Sequence, residues 1–335
     1  MVNYQSILEA QNRIQGHIKC TPIVSSSLLN QWLGHTILFK AECLQKIGAF
    51  KARGGCNAVA SLVEKGQKDP ALTPKKVVAN SSGNHAQAVA WAARQYQIPA
   101  TIFMPSSVSK VKAQATASYG AQTVFADHRA DVDAQVEAAS HEPGTYWVPP
   151  YDHDDVIAGQ GTAVAEVLQS GEQFDAIFTP CGGGGLISGS LVVSRHFSNS
   201  TQVFAVEPRL GNDALRSRKT GVIQKLSNAP DTLADGARTL SISERTFHFI
   251  KQLDGFYDVE EADIIYWTQW LTHLLKLSIE PTSAMCMDAV MQWLRTQSSP
   301  RRILVVLSGG NLDHGTRQKI WYEDQLSILP MEKFG

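Results

Sequence analysis

Nowhere does the 335-residue chain stay apolar for the roughly 18 positions that a membrane-spanning helix needs, so no membrane span is expected. Excess charge is also missing: 30 Lys+Arg against 31 Asp+Glu leave a net charge of -1. That balance gives no electrostatic reason for a nucleic acid or an anionic membrane as partner. Cysteine is sparse. The five residues, Cys20, Cys43, Cys56, Cys181 and Cys286, are odd in number, scattered and without metal-type spacing. A reduced, cytoplasmic compartment is the expectation. The opening residues Met1 to Ser6 have neither the basic start nor the apolar stretch of a signal peptide. Repeats, low-complexity tracts and long linkers are absent as well. With 43% hydrophobic and 18% charged residues the composition is that of an ordinary soluble protein. At about 150 residues per domain, the length suits two domains or one large one. A soluble enzyme or binding protein remains.

Short apolar runs rich in β-branched residues recur along the chain. They are Thr36–Phe39, Lys76–Asn80, Ala100–Met104, Ala121–Phe125, Ala176–Phe178, Gln202–Val206 and Ile303–Leu307. Nearly continuous apolarity over such lengths predicts strands buried on both faces of a parallel sheet. Ala-rich stretches with helical spacing lie between them, at 86–93, 109–118 and 162–168. Alternating strand and helix predicts α/β layers.

Four segments could carry chemistry. Cys181-Gly182-Gly183-Gly184-Gly185-Leu186 follows a predicted strand and opens a predicted helix. Backbone N–H groups freed of side chains can surround an anion there, and the helix start adds positive charge. The loop is neither a Walker loop nor the spaced-glycine dinucleotide fingerprint, and a plain tight turn is the alternative. Ser81-Ser82-Gly83-Asn84-His85 forms a second strand-to-helix junction, with hydroxyls, an amide and an imidazole. Its plain alternative is a serine N-cap. Lys51 stands among small and apolar neighbours in Gly48-Ala49-Phe50-Lys51-Ala52-Arg53-Gly54-Gly55. A buried lysine can act as nucleophile or base, whereas most lysines are solvated charges. Ser308-Gly309-Gly310-Asn311 closes the last strong run, either as a polar turn or as a hydroxyl beside a ligand.

Taken together and in this order, the four segments resemble the fold type II pyridoxal-phosphate (PLP) enzymes, in the branch of serine/threonine dehydratases and serine racemases. The likeness spans nearly the whole chain, from Thr21-Pro22 to Asn311, through Val156–Thr162, Ala205–Pro208, Leu233–Gly236 and Ile279–Thr282. It implies a two-domain α/β fold, tryptophan synthase β-like, with parallel-rich sheets flanked by helices. The large PLP-binding domain would comprise residues 1–47 and 146–335, and the small domain 48–145. On this resemblance Lys51 holds the cofactor as a Schiff base and then acts as base at the substrate Cα. Phe50 packs beside the ring, Asn84 bonds its 3-hydroxyl, and Gly182, Gly183, Gly184 and Gly185 hold the phosphate. Ser308 faces the pyridine nitrogen, and Ser81, Ser82, Asn84 and His85 line the substrate carboxylate pocket. A hydroxyl cannot hold a pyridinium proton as an aspartate can, so the ring is a weaker electron sink and β-elimination is favoured. Ser82 matches the second, opposed base of the racemases.

The resemblance also implies a divalent-cation site, Mg²⁺ or Ca²⁺, at Glu207, the Gly211 carbonyl and Asp213. A solvated acidic turn paired with Arg209 or Arg216 is the alternative. Arg129 aligns only loosely with a residue that helps hold a substrate or its second carboxylate, and a solvated surface arginine is its leading reading. If it reaches the site, 3-hydroxyaspartate becomes a substrate. Ala86 stands where the family commonly has glycine, and Tyr151 occupies a variable position next to the cofactor. With the sequence ending at Gly335, no C-terminal regulatory domain and no isoleucine feedback are expected. The leading expectation is a dehydratase releasing a 2-oxo acid and ammonia from L-serine, L-threonine or a related β-hydroxy amino acid. Its nearest rival is a racemase with side dehydratase activity; a non-catalytic PLP carrier and a β-replacement enzyme are the others. One methyl group separates serine from threonine by only about 1–3 kcal/mol in an apolar pocket, so all three substrates stay open. A small-molecule amino acid as partner and a homodimer complete the expectation.

Overall fold

All seven apolar runs become strands in the computed structural model, which describes residues 1–334. In chain order the strands are β1 (Ile23–Val24), β2 (Thr36–Ala41), β3 (Lys76–Asn80), β4 (Ala100–Pro105), β5 (Gln122–Ala126), β6 (Thr145–Trp147), β7 (Ala176–Pro180), β8 (Gln202–Pro208), β9 (Gly255–Val259) and β10 (Arg302–Leu307). They form a six-stranded sheet in the order β1-β2-β10-β7-β8-β9 and a four-stranded sheet in the order β5-β4-β3-β6. Every pairing is parallel except that of β1 with β2. Three strands had no apolar run to announce them. β1 and β6 are two and three residues long, and β9 opens on glycine and contains Asp258.

Burial follows from the two-sided cover that parallel crossovers impose. All five residues of β7 are buried. On one face of the larger sheet Ile177, Val203 and Leu304 pack with Ile157, Leu186 and Leu191, from helices Asp154–Leu168 and Gly185–Phe197. On the other face Phe178, Phe204 and Val305 meet Trp267, Met287 and Val290, from helices Glu261–Leu275 and Cys286–Leu294. The smaller sheet is covered in the same way. Ala79 and Ile102 pack against Val59 and Val89 on one side, and Val78 and Phe103 against Val132 and Val136 on the other. Its edge strand β5 is half-open, with Phe125 exposed.

Helix Lys51–Lys68 lies against both Asn84–Gln95 and Asp154–Leu168, and so ties the two sheets together. The second contact is backbone-close. A Cβ at Gly159 would stand 2.5 Å from the Arg53 carbonyl oxygen, so only glycine fits. Arg53 itself is fully buried and binds Glu42 through Nε and Nη2 at 2.7 and 2.8 Å. It also reaches Glu166 through Nη1 and Nη2 at 2.7 and 2.9 Å. Lys40 joins the same Glu166 carboxylate. Two cations and two carboxylates thus cancel inside the protein, two residues from Lys51.

Candidate active site

The C-terminal ends of β3, β6, β7 and β10 open onto one cleft of about 930 Å³, where ligands gather in parallel α/β sheets. Phe50, Lys51, Ser81, Ser82, Asn84, His85, Gly182 to Gly185 and Ser308 all line it. The structure therefore brings together segments that are up to about 260 residues apart in the chain.

Lys51 is held by its backbone before its side chain matters. Phe50 N–H donates to the Ser308 carbonyl at 2.9 Å, and Gly310 N–H donates to the Gly48 carbonyl at 3.0 Å. These bonds pin the start of helix Lys51–Lys68 to the end of β10. The Lys51 ammonium donates to the Pro150 carbonyl at 2.7 Å and lies 5.1 Å from the Phe50 ring centre. Burial lowers its pKa to about 8, against a partial opposing pull from Glu280. A free amine is thus accessible near neutral pH.

The four glycines form the turn from β7 into helix Gly185–Phe197. Gly184 is the N-cap, with φ of 88°, a conformation that favours glycine, and no side chain caps the helix. The first-turn N–H groups stay free for an anion. At Gly183 a Cβ would fall 2.0 Å from the Tyr151 ring, so that ring closes one side of the loop. Tyr151 is fixed in turn by its hydroxyl, which donates to the Ser241 carbonyl at 2.9 Å.

At the other junction neither serine caps the helix. Gly83 is the N-cap of Asn84–Gln95, without a side-chain bond. The Asn84 amide is locked on both sides, donating to Glu280 Oε2 at 3.0 Å and accepting from Asn311 Nδ2 at 2.8 Å. His85 Nε2 bonds the Val148 carbonyl at 2.7 Å, while Nδ1 is buried without a partner. Burial, together with the Lys51 charge, drops its pKa to about 3, so the imidazole is neutral. Arg129 lines the cleft as well, with its Nε 3.2 Å from Asp133 Oδ1 and its side chain just over half exposed. It sits at the rim of the cleft.

A family model for pyridoxal-phosphate dependent enzymes matches residues 14–309. The chain belongs to this family. An L-threo-3-hydroxyaspartate ammonia-lyase of Saccharomyces cerevisiae is 40% identical over 316 residues, covering 92% of this chain and 93% of the relative. A serine racemase of Schizosaccharomyces pombe is 37% identical, over 92% of this chain and 94% of its own. The crystal structure of a T.th. threonine deaminase matches with a TM-score of 0.85 and 37% identity, covering 93% of this chain and 99% of that one. The fold is that of the fold type II members of the family, with parallel-rich sheets flanked by helices.

The site fits the family's cofactor. An uncapped glycine helix start suits a phosphate, a lysine of depressed pKa suits an aldehyde, and the buried Ser308 hydroxyl suits a ring nitrogen. Nothing in the sequence singles out Glu280 within Ile279–Thr282. Its buried carboxylate joins Asn84 to Ser308, accepting from the Ser308 hydroxyl at 3.1 Å. Burial, reinforced by Asp235, raises its pKa to about 7. An acidic residue before a proline carries no signal of such a role.

Away from the cleft, Glu207 is the penultimate residue of β8 and Asp213 opens helix Asp213–Thr220, with Gly211 buried in the turn between. Both carboxylates are buried. Glu207 accepts the N–H groups of Ala214 and Leu215 at 3.2 and 3.0 Å. Asp213 Oδ2 accepts from Ile242 N–H at 3.1 Å, while Oδ1 has no partner. Burial and the neighbouring Asp213 push the Glu207 pKa well up, and burial lifts Asp213 to about 7. Arg209 turns to Asp258 and Glu260 instead of pairing here. Two buried carboxylates, one of them with an orphaned oxygen, form a donor set suited to a hard divalent cation. Among the described residues no three His, Cys, Asp or Glu side chains converge as a metal group.

Proposed function

We propose that this PLP enzyme is an ammonia-lyase that eliminates water from L-serine, L-threonine or L-threo-3-hydroxyaspartate, yielding a 2-oxo acid and ammonia. The observation carrying this reading is the single cleft that holds a lysine of lowered pKa, an uncapped glycine-loop helix start, the serine-rich junction and a hydroxyl, not a carboxylate, at position 308. The ammonia-lyase of S. cerevisiae and the T.th. threonine deaminase support it.

When bound, the cofactor draws electrons from the substrate Cα and makes its proton acidic. Lys51 would anchor it and, as a free amine, would take the Cα proton. Gly182 to Gly185 would hold the phosphate through backbone N–H groups, with Phe50 and Asn84 beside the ring. Ser81, Ser82, Asn84 and His85 receive the substrate carboxylate, the neutral His85 adding no charge of its own. Ser308 would meet the ring nitrogen with a hydroxyl, which would keep electron withdrawal modest and favour prompt loss of the β-substituent. Racemisation is the second reading, favoured by Ser82 in the same cleft and by the serine racemase of S. pombe. Glu207, Gly211 and Asp213 take Mg²⁺ or Ca²⁺. The working unit is a cytoplasmic homodimer, whose free cysteines suit a reduced compartment. Each subunit has a large domain of residues 1–47 and 146–335 and a small one of 48–145.

The test is incubation with L-serine, L-threonine and L-threo-3-hydroxyaspartate, with and without Mg²⁺, following 2-oxo acid release and chirality together. Oxo acid without D-enantiomer supports the lyase and ranks its substrates. D-enantiomer at a comparable rate supports the racemase, with Ser82 as second base. Neither product from a cofactor-loaded protein overturns both readings and leaves β-replacement or a non-catalytic carrier.

A further inference from the structure

Ser308 has one proton and several neighbours that compete for it. Its hydroxyl lies 3.1 Å from Glu280 Oε1 and 3.0 Å from Ser283 Oγ. Ser283 donates to the Gly309 carbonyl at 3.0 Å, so toward Ser308 it acts as an acceptor. The other Glu280 oxygen is occupied by the Asn84 amide, which can only donate to it because the Asn84 carbonyl oxygen already accepts from Asn311. The two Glu280 oxygens therefore differ. Oε2 accepts, while Oε1 faces a hydroxyl that works in either direction.

We infer that Glu280 sets the direction of this chain: as a neutral acid it donates from Oε1 to Ser308, which turns the Ser308 proton toward the cofactor's ring nitrogen. The inference rests on the proposed placement of that ring nitrogen at Ser308. An ionised Glu280 reverses the chain. A carboxylate attracts the Ser308 proton strongly, because charge-assisted hydrogen bonds are the stronger kind. The ring nitrogen then faces only oxygen lone pairs. With Glu280 neutral, the nitrogen is a better acceptor than the Ser283 hydroxyl and receives the proton. Glu280 is thus a positioning residue, acting on the cofactor through Ser308.

Glu280 is buried, and burial is the main reason its pKa stands near 7. Asp235 pushes it further up, while Lys112 pulls it down. Lys51 and Cys43 also face it; Cys43 is a thiol raised to about 12 and stays uncharged. Both directions of the chain are therefore within reach around neutrality.

The experiment is ¹⁵N NMR of the holoenzyme loaded with cofactor labelled at the ring nitrogen, recorded across the neutral range. In the wild type the signal is expected to shift between two limiting positions. Glu280→Gln, whose amide donates to Ser308 and accepts from Asn84, is expected to hold the low-pH position throughout. Ser308→Ala, which breaks the chain, is expected to abolish the movement while cofactor stays bound. A wild-type signal that does not move, or one that moves equally in E280Q or S308A, overturns the inference alone. Failure of the wild type to hold cofactor at all overturns the placement beneath it as well.

Discussion

Replacing Arg53 by methionine should destabilise the holoenzyme by about 3–5 kcal/mol, the range for breaking a buried ion pair by removing one partner. Four short hydrogen bonds to two carboxylates disappear together. Glu166 keeps Lys40, but Glu42, with no exposed surface, keeps only the Thr21 hydroxyl. The uncompensated charge is therefore chiefly that of Glu42. Unfolding entropy for a chain of 335 residues is about 0.7 kcal/mol per kelvin, so the melting temperature should fall by about 4–7 °C. Thermal unfolding followed by circular dichroism is the assay. The double variant Arg53→Met/Glu42→Gln should recover at least half of the loss, because it removes the stranded charge. Unfolding of the single variant within a degree of wild type would refute the argument. So would a double variant no more stable than the single one, since the loss would then lie in packing and not in charge. Because Arg53 lies in the first turn of the helix that Lys51 opens, weaker cofactor retention should accompany the melting shift.

Four further outcomes follow from the same geometry. Capture of pyridoxal phosphate by cofactor-free protein requires the uncharged Lys51 amine, so its rate should rise with pH and level near 8, the value to which burial lowers this lysine; levelling near the ordinary lysine value of about 10.4 would show that burial does not act as argued. Folding responds in the same direction: with the folded value below the unfolded one, Lys51 destabilises the cofactor-free protein at lower pH, and the loss lifts as pH rises from about 8 to about 10.4. Arg129→Met should cut kcat/KM for L-threo-3-hydroxyaspartate by about 10–150-fold, the worth of a charge-assisted hydrogen bond of about 1.5–3 kcal/mol, and leave that for L-serine within about threefold; equal losses on both substrates would return Arg129 to its bond with Asp133. Adding Mg²⁺ or Ca²⁺ in excess, at about 100 times its dissociation constant, should stabilise the enzyme by about 2.7 kcal/mol, and Asp213→Asn should abolish the response; an unchanged response in that variant would place the cation elsewhere.

What could be read from the chain alone was local. A β-branched run followed by Gly182–Gly185 or by Ser81–Asn84 announces a buried strand that ends in a polar helix start, because strand burial and helix initiation depend on neighbours a few residues away. The family resemblance rested on the same junctions, and the fold and cofactor class came with it. Tertiary structure decided what depends on distant partners. Lys51 looks like any lysine until the Pro150 carbonyl, 99 residues on, accepts its hydrogen bond. Ser81 and Ser82 read as helix caps, yet the fold gives that place to Gly83. Arg53 meets Glu42 and Glu166 at separations of 11 and 113 residues, and Glu280 meets Asn84 at 196. No periodicity encodes such pairs. Each exists because two sheets and the helix between them bring charges into a dry interior, where a carboxylate must find a donor or a cation or else hold its proton.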